Sequence, residues 1–102
     1  MPATVIFRYA GLPEDRFDRD YYCAKHVPRV LREWKPYGLL SARVFFPSSA
    51  ESQPGAVCLC ECVFSDESAV RAALAAPCAQ ELIDDIPNFT DLAMECALLN
   101  PI

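Results

Sequence analysis

Apolar positions along the chain alternate in four stretches and recur at helical spacing between them. Residues 4–9 are β-branched and aromatic and read as a strand, closed by Gly11 and Pro13. Asp15 or Asp18 can cap the helix that follows. Phe17, Tyr21, Ala24, Pro28 and Leu31 recur at spacings of four and three, which predicts one buried stripe. Pro28 lies inside that pattern and lacks a backbone donor, so a kink or break is expected there. Lys35-Pro36-Tyr37-Gly38 ends the helix, and residues 39–46 read as a second strand. Residues 47–55 carry Ser, Gln, Pro and Gly with nothing to bury, and read as a loop. Ala56–Phe64 reads as a third strand. Ser65 or Asp66 caps an Ala-rich second helix, and Pro77 opens a further helical segment through Leu82 and Ile83. Ile86-Pro87-Asn88 is a turn, and residues 91–99 read as a last strand.

The predicted order is therefore βαββαβ, the split βαβ pattern of ferredoxin-like α+β folds. One domain, residues 1–102, is expected, with a four-stranded antiparallel sheet and its helices on one face. Cys58, Cys60, Cys62 and Phe64 share one face of the third strand; Val57, Leu59, Glu61 and Val63 share the other. In the last strand Ala93, Glu95, Ala97 and Leu99 share a face. A second face this apolar predicts a cover, and a two-fold-related copy of the same sheet is the simplest one.

Composition narrows the function. With 53% hydrophobic and 23% charged residues over 102, the chain has a core to bury and is not a disordered tail. No uncharged apolar run approaches the ~18 residues of a membrane span. The opening residues lack the apolar core of a signal peptide, so a cytoplasmic location and no membrane partner are expected. A net charge of −5 leaves no cationic face for nucleic acid, and Arg29, Arg32 and Lys35 read as a solvated stripe. The six cysteines lack Cys-x-x-Cys turns and His pairs, so no metal centre is expected. The alternating Cys58, Cys60 and Cys62 read as small buried hydrophobes that make poor disulfide partners. With three Gly and no Gly-x-Gly-x-x-Gly there is no sign of a nucleotide cofactor, and none is expected.

His26 is the single histidine, and its ordinary pKa lies near neutrality. Tyr22 lies four residues earlier on the same flank, so the pair can do general acid–base work, the imidazole taking a proton and the phenol orienting an oxygen. On an ideal wheel this flank is not the Phe17–Leu31 stripe; either Pro28 turns it inward or it faces a groove or a partner chain. Against this stands a structural histidine bonded to a carbonyl loosened by Pro28. Glu61 and Glu95 interrupt apolar strand faces, where they either pair with Arg8 and Arg43 or, for Glu61, act on a ligand in a pocket. Tyr9 should lie near the turn that holds Asn88. Tyr9, Glu61 and Asn88 are thus candidate ligand contacts, Asn88 also being a natural turn former.

Three stretches together resemble a known family: Phe17-Asp18-Arg19-Asp20-Tyr21-Tyr22 with His26-Val27-Pro28, Phe64-Ser65-Asp66, and Asp85-Ile86-Pro87-Asn88-Phe89-Thr90-Asp91. Their order and spacing are similar to those of the EthD family, named for a protein of ethyl tert-butyl ether degradation. The resemblance implies a dimeric α+β barrel. It does not choose a chemistry, since similar barrels include cofactor-free monooxygenases, lactone isomerases, polyketide cyclases and haem enzymes. The reading that joins residues and resemblance is a homodimer with one pocket per subunit for a hydrophobic small molecule. It would do cofactor-free oxidoreductase or proton-transfer chemistry in catabolism or secondary metabolism, with His26 and Tyr22 catalytic. The alternatives are a non-catalytic accessory or ligand-binding protein of the same fold, or a haem or metal binder using His26.

Overall fold

The structure, a computed structural model, describes residues 1–48 and 55–99. Strands β1 (Ala3–Ala10), β2 (Leu39–Phe45), β3 (Ala56–Phe64) and β4 (Met94–Leu99) form one sheet in the order β2-β3-β1-β4. Every neighbouring pair is antiparallel, as the ferredoxin-like pattern requires. Most of the expected loop, residues 49–54, lies outside the described residues.

The first helical run has three parts: α1 (Arg19–Tyr21), a π-helical turn (Tyr22–His26) and α2 (Val27–Trp34). Asp18 is the cap, accepting from Tyr21 N at 3.0 Å. Lys35–Tyr37 tightens to a 3₁₀ turn and Gly38 closes it at φ 102°. A Cβ there would lie 2.7 Å from Ser65 Oγ and 2.8 Å from the Ala69 Cβ, so both the conformation and the space select glycine. After β3, Asp66 caps α3 (Glu67–Ala75) by accepting from Ala69 N at 2.8 Å. Helix α4 (Pro77–Asp84) starts on its proline, and Ile86–Asn88 forms a 3₁₀ turn.

Two sequence expectations need correction. The predicted stripe of the first helix is not the buried one: Ala24 and Pro28 are exposed, and Leu31 is 39% exposed. The inward residues are Tyr22, His26, Val27, Val30 and Trp34. The cause is the π turn, where Val27 N–H bonds Tyr22 O five residues back. Pro28 has no N–H to hold the next turn at α spacing, so the helix widens instead of breaking. The extra residue in the turn changes which side chains face the sheet.

The last strand is also shorter than expected. Residues 91–93 are held by side chains that compete with a ladder. Thr90 Oγ1 donates to Arg16 O at 2.6 Å and accepts from Leu92 N at 3.2 Å, and Arg16 pairs with Asp91 at 2.9 Å.

The helices cover the face carrying Val5, Tyr9, Cys58, Cys60, Cys62 and Phe64, all buried. The opposite face carries Ile6, Leu59, Glu61 and Val63, all half-buried, with Ala97 and Leu99 exposed beside them. Arg8–Glu95 and Arg43–Glu61 ion pairs cross it. Among the described residues no helix is long and apolar enough to cross a membrane.

Candidate functional site

A cleft opens between the sheet and the helices, with about 560 Å³ of space that includes its open mouth. Phe7 and Tyr9 of β1, Cys60 and Cys62 of β3 and Met94 of β4 form its floor. Tyr22, His26, Val30 and Trp34 form one wall, and Leu82, Ile83 and Ile86 the other. Its apolar lining with few polar groups suits a small apolar molecule.

His26 is the polar group with a defined partner there. Its Nδ1 lies 2.8 Å from Asp85 Oδ2, and both side chains are buried. Asp85 also accepts from Tyr21 Oη at 2.7 Å and from Asn88 Nδ2 at 2.9 Å. Burial pushes the Asp85 carboxyl up, but the three hydrogen bonds from Asn88, His26 and Tyr21 outweigh it and hold the group below the ordinary carboxylate range. It is therefore a carboxylate at neutral pH and can only accept. His26 must then carry its proton on Nδ1, which leaves the Nε2 lone pair as the ring's free basic atom. Burial lowers the His26 pKa despite the Asp85 carboxylate, so the imidazole is neutral near pH 7. The ring is clamped by Tyr22, stacked at 5.4 Å and 16°, and by Phe89 at 4.7 Å. The arrangement is a neutral base at a cavity wall, with a carboxylate behind it to stabilise the imidazolium.

The Tyr9 and Tyr22 rings meet edge to face at 5.6 Å. Burial pushes both phenols far above their usual range, so they remain donors at any physiological pH. Burial also pushes the Cys58 thiol up to about 12. Cys60 and Cys62 lie 3.9 Å apart, and the hydrogen bond to Cys60 together with burial keeps Cys62 protonated. All six cysteines are free. Among the described residues no group of three or more His, Cys, Asp and Glu is placed to hold a metal.

Of the sequence candidates, the structure brings His26, Tyr22 and Tyr9 together at the cleft. The Tyr9 ring reaches the 3₁₀ turn through Phe89, at 5.6 Å, as expected from the strand order. Asn88 is exposed, and its amide holds Asp85. Glu61 is not at the cleft: its strand neighbours Cys60 and Cys62 point there, and it faces the other side, 3.9 Å from Arg43. Asp85 and Tyr21 were missed. The signal for Asp85 was its position before Ile86-Pro87-Asn88, where a tight turn fixes a carboxylate's direction.

No protein-family model and no curated protein matches the chain. Solved structures do. An EthD-like protein from Ralstonia eutropha JMP134 superposes with a TM-score of 0.81 at 24% identity, over 97% of this chain and 90% of that one. An ethyl tert-butyl ether degradation (EthD) family protein from Bacillus halodurans C-125 has a TM-score of 0.73 at 19% identity, with both chains fully covered. SnoaB, a cofactor-independent oxygenase from Streptomyces nogalater, has a TM-score of 0.67 at 16% identity over 99% and 93% of the two chains. The chain thus has the α+β fold of these EthD-like proteins and of SnoaB.

Proposed function

We propose that the chain is an EthD-like enzyme that removes a proton from a hydrophobic small molecule held in the cleft, without a cofactor. The observation that carries this is the buried His26–Asp85 pair at the wall of an apolar cavity, Nδ1 to Oδ2 at 2.8 Å. His26 Nε2 accepts the proton, and Asp85 stabilises the imidazolium through Nδ1–H. The Tyr9 and Tyr22 hydroxyls lie on the same cavity and can donate to an oxygen where negative charge develops. The resulting carbanion or enolate either reacts within the molecule, taking the proton back at a second carbon as in an isomerase or adding to a carbonyl whose oxygen then takes the proton from His26 as in a cyclase, or reduces dioxygen, an oxygenase outcome. The fold shared with a cofactor-independent oxygenase supports the second.

The proposal includes a homodimer formed through the uncovered sheet face, with Leu59, Val63 and Ile6 at its centre. It also includes a cytoplasmic location, where thiols as close as those of Cys60 and Cys62 stay reduced. A test is hydrogen–deuterium exchange at the benzylic C1 of 2-tetralone in D₂O, followed by proton NMR. Catalysed exchange that His26→Gln lowers at least 100-fold, while the variant stays folded, is the expected result. No exchange above buffer, or equal exchange by both proteins, refutes the reading and favours a ligand-binding protein.

A further inference from the structure

Asp85 stands where the fold opposes its charge. It follows the last residue of α4, and its N–H bonds Glu81 O at 3.1 Å and Leu82 O at 3.3 Å. The C-terminal end of a helix carries partial negative charge, and burial adds a second cost. Two donors from outside α4 meet that cost at one atom. Tyr21 Oη and Asn88 Nδ2 both donate to Oδ1, at 2.7 and 2.9 Å. With Oδ1 held from two sides, Oδ2 is left facing His26 Nδ1 at 2.8 Å. Both donors are themselves fixed. Asp18 accepts from the Tyr21 N–H, and the Tyr21 ring stacks on Phe89 at 6.2 Å and 25°. Asn88 is held by its 3₁₀ turn, its N–H bonding Asp85 O at 3.0 Å.

We propose that Tyr21 and Asn88 are positioning residues for His26: by sharing Oδ1 they aim Oδ2 at the imidazole and limit how strongly the carboxylate draws on its Nδ1 proton. Each donor stabilises the carboxylate and leaves less of its charge for the imidazolium. The base is thereby kept weak enough to give up the proton it takes, as a general base working near neutral pH must. The other charges near the pair leave this setting to the two donors. Arg29 of α2 acts on both groups, but Glu33 at 3.3 Å and Glu81 at 3.7 Å share its guanidinium. Glu33 Oε2 is buried without a partner among the described residues, so negative charge there more than balances Arg29. On the cleft side His26 is joined by Tyr9, Tyr22, Cys60 and Cys62. This inference rests on the reading of His26 as the base, and it concerns what sets that base's strength.

The test is an NMR titration of the single histidine, His26, in three variants. Tyr21→Phe removes the hydroxyl and keeps the ring on Phe89. Asn88→Ala removes the amide at an exposed position. Each is expected to raise the titration midpoint of the imidazole by about half a pH unit to one, a share of one charge-assisted hydrogen bond, while Nδ1 stays protonated. Loosened packing would also raise the midpoint, by admitting water, so the third variant strengthens the donor instead. Replacement of Tyr21 alone by 3-fluorotyrosine keeps the shape and makes the hydroxyl more acidic, and it should lower the midpoint. It also decides the matter should Tyr21→Phe fold poorly. A midpoint that none of the three moves, or that 3-fluorotyrosine raises, overturns the proposal. The 2-tetralone exchange assay separates the two readings. Exchange that depends on His26 with an unmoved midpoint overturns this inference alone. Midpoints that move as expected without any exchange overturn the enzyme and leave the positioning of His26 standing.

Discussion

Asp85→Asn probes the site with the least change of shape. The Asn oxygen can still accept from Tyr21 and Asn88, which lie 2.7 and 2.9 Å from Asp85 Oδ1. Its NH₂ then stands where Oδ2 faces His26 Nδ1 at 2.8 Å. Two donors cannot face each other, so the imidazole must move its proton to Nε2 and present a lone pair at Nδ1. The base facing the cavity is thereby blocked. Exchange of the 2-tetralone C1 proton should fall about 10²–10⁴-fold, the usual weight of a general base. Loss of a charge-assisted bond, partly offset by the new one, should lower stability by roughly 1–2 kcal/mol. For a domain this size that is about 5–15 °C in Tm. The assay is direct, because His26 is the single histidine: ¹⁵N NMR of the imidazole reads which nitrogen is protonated. The expected result is Nδ1–H in the natural protein and Nε2–H in the variant. An unchanged tautomer, or a changed tautomer with full activity, would refute the assignment of His26 as the base.

Acid should destabilise the fold through the same pair. The folded pKa of His26 lies below its ordinary value, and so does that of Asp85. The unfolded chain therefore binds more protons than the native one, first as pH falls below about 6.5 and again below about 4. Tm should drop between pH 7 and 5, and His26→Gln should flatten that drop; a flat natural profile would contradict the buried neutral imidazole. Gly38→Ala should cost about 1–3 kcal/mol, from φ 102° and the crowding by Ser65 and Ala69, measured by urea unfolding. Light scattering at micromolar concentration should give the mass of two chains. Leu59→Asp should yield monomer or aggregate, and a natural monomer would remove the dimer.

Strand positions were legible because burial on one face imposes a strict period of two. Ala56–Phe64 is the strand that the alternation of Cys58, Cys60, Cys62 and Phe64 predicts, and those four are all buried. Helix starts were legible because Asp18 and Asp66 do local work, each capping a backbone N–H three residues on. The end of the chain was less so. Residues 91–93 have strand-like apolar alternation, but Thr90 and Asp91 spend their side chains on the 16–18 segment. Such contacts span 74 residues or more and leave no local pattern. Asp85 was hidden for the same reason: its partner His26 is 59 residues away.

The phase of the first helix failed for a different reason, and it failed at the site. A wheel drawn at 100° per residue assumes i→i+4 bonding throughout, and it assigns Phe17, Tyr21, Ala24, Pro28 and Leu31 to the core. The turn Tyr22–His26 instead bonds i→i+5 ahead of Pro28. That insertion gives Tyr22 and His26 nearly parallel rings on the inner side and continues the buried line to Val27, Val30 and Trp34. Pro28 itself is exposed, so its place in the chain is not explained by packing. Its missing N–H, two residues after the catalytic candidate, is what permits the wider turn. π insertions are uncommon and concentrate at functional sites, where a local rule is broken to aim a side chain. The residue that made the helix pattern hardest to read is therefore the one that lets His26 face Asp85 and the cavity. The His26 imidazole and the Tyr22 and Trp34 rings of that wall all sit on the face this shift selects.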